Sequence, residues 1–391
     1  PLRDLIASRR ADSFQKTTSS QSARKQQLLD ACRKKKYLQD TRDGPYVNMH
    51  WFHVDRNYKL AYCAIPKVGH SFWRRVFNIL AKRNAHRSLF NISGEKIHQN
   101  ANNFERFPDK LSKKSFPRQY HFMVSATKFL FVRDPYERLF SGYIDRFFSL
   151  TATLTVLENT LSKVSTTTTR PTDACKKHFN LTFLEFINYV TRSGPFKVNE
   201  HFTPAYVTCL PCLINYDFIG KMESFHDDTS FVLRLAGIDP KDVYGSDSSF
   251  ESQSDLSIIR DVTQRIFSVM KQFYSCFTRF EMLRRTWVAL QVRGFLSASL
   301  PFPLSEGRAE TIKQGEFLGL VNDAYKRSVP RDVVRQQRHL AAVETFRNLP
   351  QSLLQAVQAY VQKDCDLFGY ECSVEARFNQ SSGQKPLFNI F

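Results

Sequence analysis

The sequence is poor in the features that mark several large protein classes. Glycine (14) and proline (16) are few among 391 residues, which excludes collagen-like repeats and Pro/Gly-rich low-complexity chain. No run of about 18 uninterrupted apolar residues occurs, so no segment reads as a bilayer-spanning helix. A secretory apolar leader is missing, and the first residue is Pro1, so the chain reads as a fragment or processed form. No internal repeat is present. Acidic residues are in deficit, with 37 Asp+Glu against 56 Lys+Arg and a formal net charge of +19. A surplus of that size favours an anionic partner such as nucleic acid, phospholipid, a phosphorylated cofactor or an acidic polysaccharide.

What is there suits a folded protein. Apolar residues make up 42 % of the chain, enough to bury a core and to exclude wholesale disorder. The length fits roughly one to three domains. Eight cysteines are spread from Cys32 to Cys372. Cys209-x-x-Cys212 has no second CxxC or HxxxH near it, so disulfide partners or core cysteines are the better reading than a zinc knuckle. Three N-x-S/T triplets, at Asn91, Asn180 and Asn379, favour a secretory route.

Residues 1–45 are basic and polar, with a run at Arg33–Lys36, and read as a stem or tail that need not pack. The core begins near Tyr46. Tyr58–Ile65 has the β-branched and aromatic content of a strand. It runs through Pro66-Lys67-Val68-Gly69-His70-Ser71 into a segment with apolar residues at 72, 73, 76, 77 and 80, the spacing of one helix face. A second unit follows. Lys128–Val132 reads as a buried strand ending at Arg133. Asp134-Pro135-x-Glu137 then opens a helix, with Asp as N-cap and Pro at the first position. That helix runs to about Phe148 and carries Arg138, Ser141 and Asp145 as a polar stripe. Residues 151–170 are Thr-rich and read as a surface loop. Later segments read as a helix over 179–190, a strand over 215–220 and a helix over 229–236. Strand–helix alternation predicts an α/β core with a parallel sheet. Residues 240–345 read as a mostly helical insertion, and residues 373–391 as a tail.

Both strand-to-helix junctions carry chemistry. Such a turn presents backbone N–H groups at the positive end of a helix dipole, which is an anion site. Pro66–Ser71 adds a lysine, a glycine that admits close backbone approach, and a hydroxyl. It is not a G-x-x-x-x-G-K-[ST] loop, because the lysine precedes the glycine. Arg133 at the second strand end offers a fork of donors, and Ser141 a hydroxyl two turns into the following helix, a sensible pair for a phosphate monoester. Two such junctions in one sheet suit a nucleotide with phosphates at both ends.

These residues resemble a known family. YCAIPKVGHSFWRRVF (62–77), KFLFVRDPYERLFSGYIDRF (128–147), NEHFTPAYVTCLPCLINYDFIGKMESF (199–225) and DCDLFGY (364–370) are similar to the Golgi carbohydrate sulfotransferases of the chondroitin/dermatan 4-O type. The resemblance covers roughly 46–240 and 345–372 and implies a P-loop-like sulfotransferase fold, a central parallel sheet flanked by helices, within a domain over 46–372. It implies 3′-phosphoadenosine 5′-phosphosulfate (PAPS) as sulfate donor, no metal, and no nucleic-acid partner. An acidic glycan acceptor of glycosaminoglycan type is implied, and a lumenal domain held to the Golgi membrane by an N-terminal anchor outside this chain. By the resemblance, Lys67, Val68, Gly69, His70 and Ser71 cradle the 5′-phosphosulfate, with Lys67 stabilising charge, while Arg133 and Ser141 bind the 3′-phosphate. His70, Ser71 and Phe72 stand where the family has other residues, often Cys, Thr and a small polar residue. His201 is the first candidate for the base that takes the sugar hydroxyl proton, since imidazole can accept a proton near neutral pH; His70, His121 and Glu200 are alternatives. The rival readings are a non-catalytic polyanion-binding protein, a nucleotide kinase with a degenerate loop, and a glycan-binding pseudoenzyme.

Overall fold

The computed structural model describes residues 2–35, 49–81, 88–99, 105–106, 116–150, 181–245, 247–378 and 388. Asn180, Asn379, Cys175 and the Thr-rich loop 151–170 lie outside the described residues. The chain divides into two compact units, each assembled from three stretches. Unit 1 takes Pro1–Pro135, Thr203–Gln253 and Gln362–Tyr370, and unit 2 takes Tyr136–Phe202, Ser254–Val361 and Glu371–Phe391.

Among the described residues unit 1 is built on a five-stranded sheet: β1 (Phe52–Asp55), β2 (Leu60–Cys63), β3 (Glu105–Arg106), β4 (Thr127–Val132) and β5 (Phe218–Lys221), in the order β3-β1-β2-β4-β5. β2, β4 and β5 are parallel, with Cys63 opposite Leu130 and Val132 opposite Lys221. Leu60, Ala61, Tyr62 and Cys63 are all fully buried, the continuous apolar run of a parallel strand covered on both faces. The α/β class expected from the sequence is the one observed, with an antiparallel margin added. β1 pairs antiparallel with β2, and the two-residue β3 pairs antiparallel with β1. Strand β1 escapes a sequence reading because His53 and Asp55 break its apolar run, although all four of its residues are buried.

In unit 1 the helix expected after Ser71 is observed, the one expected over 229–236 begins four residues earlier, and the helices at Gly94–Gln99 and Phe116–Ser125 were not anticipated. α2 (His70–Leu80) lays Phe72, Trp73, Val76, Phe77 and Leu80 into the core. α3 (Gly94–Gln99) and α4 (Phe116–Ser125) precede β4, and after β5 and a short turn, Met222–Ser224, a helix runs from Phe225 to Leu235. Trp73 is fully buried against Tyr62, Phe129 and Phe131, so α2, β2 and β4 share one aromatic core.

The expectation that residues 1–45 need not pack is corrected for the later half of 2–35; residues 36–45 lie outside the described residues. α1 (Leu2–Lys35) is a helix whose later half docks on unit 1. Gln21 donates to the Ile219 carbonyl and accepts from the Ile219 N–H, both at 3.0 Å. Arg24 donates to Asp228 at 2.6 Å, to the Ile219 carbonyl at 2.9 Å and to Ser224 at 3.0 Å. Leu28 and Ala31 enter the core, and Cys32 is disulfide-bonded to Cys212. The contact is mostly polar, so it leaves only a faint apolar stripe in the sequence. A second disulfide joins Cys63, at the end of β2, to Cys209. The Cys209–Cys212 pair thus serves two disulfides. Cys276, Cys365 and Cys372 are also disulfide-bonded.

Unit 2 is helical. α5 (Pro135–Tyr143) begins where the units divide and passes into a π-helical turn, Ile144–Phe148. α6 (Phe183–Ser193) starts on a Thr182–Glu185 capping box. From Ser254 onward the segment 240–345 lies in this unit, with the rest of the helix Phe250–Val269, then Arg279–Val292 and Gln314–Arg327, and it ends within Arg331–Arg347. Tyr143, Phe147, Phe183, Phe186 and Phe202 form an aromatic cluster. The expected tail is packed at its start: Phe378, in a short helix Val374–Phe378, lies against Tyr136 and Phe346 with centroids at 5.2 and 5.5 Å.

Candidate active site

Because β2, β4 and β5 are parallel, their C-terminal ends share one edge of the sheet, the edge where open α/β sheets bind ligands. Within unit 1 three segments leave that edge: Pro66–Ser71 after β2, Arg133–Asp134 after β4, and Met222–Ser224 after β5.

The first segment is a bent loop. Lys67 has φ +72° and Gly69 φ +80°. A left-handed conformation at a lysine costs about 1–2 kcal/mol, so the fold must hold it in place. Val68, fully buried, anchors the loop. Gly69 caps α2 with no side-chain hydrogen bond, which leaves the helix start to an incoming anion. A Cβ at Gly69 would fall 2.5 Å from Phe225 Cε2. The Phe225 ring packs against Phe72 and Phe131 at 5.1 and 5.2 Å, so the loop is pressed onto the strand ends by one aromatic side chain. Only glycine fits that approach and that φ together. Lys67 is half-buried, and the Ser71 hydroxyl lies 3.0 Å from His98 Nε2. His70 packs its ring between His53 and His98, with centroids at 5.5 and 6.0 Å.

The other two strand ends are tied together. Arg133 and Asp134 are each 8 % exposed. The Asp134 N–H donates to Glu223 Oε1 at 3.2 Å, and the Tyr370 hydroxyl donates to Glu223 Oε2 at 3.0 Å. The Lys221 ammonium stands 4.1 Å from the Tyr370 ring centroid. Burial lowers the Lys221 pKa against the pull of Glu223, and burial with the Glu223 charge raises that of the Tyr370 phenol. Glu223 is therefore a strut between strand ends. Lys221 and Tyr370 join this edge although the sequence reading singled out neither; both lie inside the resembling text, but each is a lone residue whose partner is remote in sequence.

In unit 2, Ser141 is half-buried on α5. Its neighbour Gly142 admits the segment Asn199–Phe202: a Cβ there would lie 2.8 Å from the Phe202 ring. On that segment His201 Nδ1 is 2.7 Å from Asn199 Oδ1, which also accepts from the His201 N–H at 3.1 Å. His201 Nε2 meets the guanidinium of Arg146, from the π-helical turn. Arginine only donates, so Nε2 accepts and the ring proton lies on Nδ1. Glu200 is exposed, with Oε1 3.8 Å from Nδ1. Of the other base candidates, His121 is exposed on α4. Lys67–Ser71 and Arg133 thus belong to unit 1, and Ser141 and His201 to unit 2. Arg146 was not anticipated, since nothing in its local sequence marks it. Among the described residues no group of His, Cys, Asp or Glu is arranged to hold a metal ion.

Residues 50–285, more than half the chain, match the Sulfotransferase family. The chain belongs to that family. The matched span begins just before β1 and includes the Lys67 loop, Arg133, Ser141 and His201. As a member of the Sulfotransferase family it is similar to carbohydrate sulfotransferase 11 of Rattus norvegicus, 33 % identical over 227 residues, covering 55 % of this chain and 61 % of the relative. It is also similar to carbohydrate sulfotransferase 9 of Homo sapiens, 28 % identical over 273 residues, covering 67 % of this chain and 59 % of the relative. Carbohydrate sulfotransferase 12 of Xenopus laevis is 31 % identical over 251 residues, covering 56 % and 57 %. The chain spans about three fifths of the length of these curated relatives. No solved structure matches it significantly.

Proposed function

We propose that this chain is a carbohydrate O-sulfotransferase that uses PAPS and sulfates a hydroxyl of N-acetylgalactosamine in a chondroitin or dermatan-type glycosaminoglycan. The observation that carries the reading is the Lys67–Ser71 loop. A strained lysine, a glycine without room for a side chain and a hydroxyl stand together at the start of an 11-residue helix, at the ligand-binding edge of a parallel sheet. That donor set fits a terminal phosphosulfate. Arg133 at the adjacent strand end and Ser141 on α5 are assigned to the 3′-phosphate.

The donor supplies an SO₃ group: its sulfur–oxygen bond to phosphate breaks as a bond to the sugar oxygen forms, and the bisphosphate nucleotide leaves. Lys67 and the N–H groups of the loop stabilise the charge that grows on the leaving oxygen, the role oriented donors perform best. His201 is assigned the sugar hydroxyl proton. Nε2 is its basic nitrogen, so Arg146 must turn away before His201 can act. Asn199 holds Nδ1–H and so keeps that nitrogen in place. The two disulfides described here and the exposed Asn91 of an N-x-S triplet suit an oxidising, glycosylating compartment, and we assign the chain to the Golgi lumen. The membrane anchor is assigned to sequence before α1. Among the described residues no helix is long and apolar enough to cross a membrane.

The test is transfer of labelled sulfate from PAPS to desulfated chondroitin, dermatan and heparan chains. Lys67→Ala is expected to lower the rate by about 10²–10³ in a folded protein. His201→Ala is expected to lower kcat by about 10²–10⁴ with donor affinity kept. Labelling of none of the chains by wild-type protein that binds them would favour the non-catalytic polyanion-binding reading. Near wild-type turnover by Lys67→Ala would remove the lysine from the chemistry.

A further inference from the structure

The two arginines of α2, Arg74 and Arg75, are 6 % and 3 % exposed, which is unusual for arginine unless it is paired. Both reach the segment around α3. Arg75 Nε donates to the Ile92 carbonyl at 2.7 Å, and Arg74 Nη2 donates to the Ile97 carbonyl at 2.6 Å. These bonds fix α3 against the helix that leaves the donor loop. The next residue, His98, is thereby brought with Nε2 3.0 Å from Ser71 Oγ and Nδ1 3.4 Å from Arg74 Nη1. The His70 ring meets it edge-on.

The direction of these bonds follows from one constraint. A guanidinium has no acceptor, so the nitrogen facing Arg74 must offer its lone pair. Nδ1 therefore accepts, and the ring proton sits on Nε2, where it is given to Ser71 Oγ. Ser71 then receives a hydrogen bond from the side of α3 and keeps its own O–H to give elsewhere. A hydroxyl near a helix start otherwise turns readily toward a nearby backbone carbonyl. We propose that His98 is a positioning residue of the donor site, which orients the Ser71 hydroxyl proton into the loop toward the phosphosulfate. This rests on the sulfotransferase reading. His98 acts through Ser71 and stays outside the sulfuryl transfer itself. Arg74 acts one step further back, by fixing the tautomer.

The experiment is a double-mutant cycle in the full chain, read by donor KM, acceptor KM and calorimetric Kd for PAPS. His98→Ala should raise the donor KM and the PAPS Kd about tenfold, the effect of one hydrogen bond to a charged group, with acceptor KM unchanged. His98→Gln, whose amide can still donate to Ser71, should restore most of that loss; a role in packing alone would not be rescued this way. Ser71→Ala should show a comparable loss, and adding His98→Ala to it should cost nothing more. Losses that multiply in the double variant, or a change confined to acceptor KM, would overturn the assignment. Wild-type protein that binds PAPS but transfers no sulfate would defeat the sulfotransferase reading, while the binding cycle would still decide the role of His98.

Discussion

His53 is the residue whose burial has the clearest cost. It is 2 % exposed on β1, with its ring against Tyr62, His70 and Phe77. Burial foremost, then the charges of His70, Arg74, Arg106 and His98, hold its pKa well below 6.5. The folded ring stays neutral, whereas in the unfolded chain it takes a proton near 6.5. The unfolded state therefore binds more protons below that value, and stability is fully present above it and lost as pH falls. The slope is at most about 1.4 kcal/mol per pH unit. Urea unfolding at a few pH values between about 7.5 and 5.5 should show this loss, and His53→Phe should remove about one proton's worth of slope. An unchanged slope in the variant would assign the effect to another group. At this scale the sequence is a good guide to the place of Lys67, Gly69 and Arg133 at strand ends, because a strand, a turn and a helix start announce those junctions locally. It is a poor guide to His98, Arg146, Lys221 and Tyr370, whose partners Ser71, His201 and Glu223 are brought to them by the fold.

Among the elements, α1 has the least expected role. Among the described residues β5 is an edge strand, and exposed edges invite pairing with other chains. The Gln21 carboxamide engages both backbone groups of Ile219, as a neighbouring strand would, and Arg24 adds a donor to the same carbonyl. Gln21→Ala leaves a buried N–H unmatched, a loss of about 1–3 kcal/mol. Deleting residues 1–35 removes this cap and also leaves Cys212 without Cys32. The truncated chain should melt lower and self-associate, which a thermal scan and light scattering would read. An unchanged Tm would show that α1 adds nothing to the sheet. The strand–helix alternation of unit 1 was legible because its strands are short apolar runs and α2 repeats with helical period. α1 was not, because amide and guanidinium hydrogen bonds carry much of its docking and such bonds leave no periodic signal. β1 was hidden by one buried histidine and one buried aspartate.

For the whole molecule the dominant quantity is charge. A net +19 exceeds what one bisphosphate nucleotide needs, and a polyanion held by many cations releases counterions on binding. Acceptor KM for long glycosaminoglycan chains should therefore rise steeply between about 50 and 200 mM salt, with donor KM rising less. A flat acceptor KM, or a preference for short neutral glycans, would overturn the polymer assignment and leave the sulfuryl chemistry standing.

Unit 1 is woven from distant stretches of chain, and that sets a timetable for its making. The Asp364 carboxylate accepts from the Ala205 and Tyr206 N–H groups at 2.7 and 2.8 Å, and Tyr370 ties to Glu223. Cys63 and Cys32 find their partners 146 and 180 residues downstream. A ribosome delivers the Lys67 loop early, but the Asp364 helix cap and the Tyr370 hydroxyl that holds the Glu223 strut arrive only with residues 364–370. The two early thiols wait only until Cys209 and Cys212 emerge, whereas unit 1 stays open until its last stretch, Gln362–Tyr370, is made, so closure of the unit is a late event of biosynthesis.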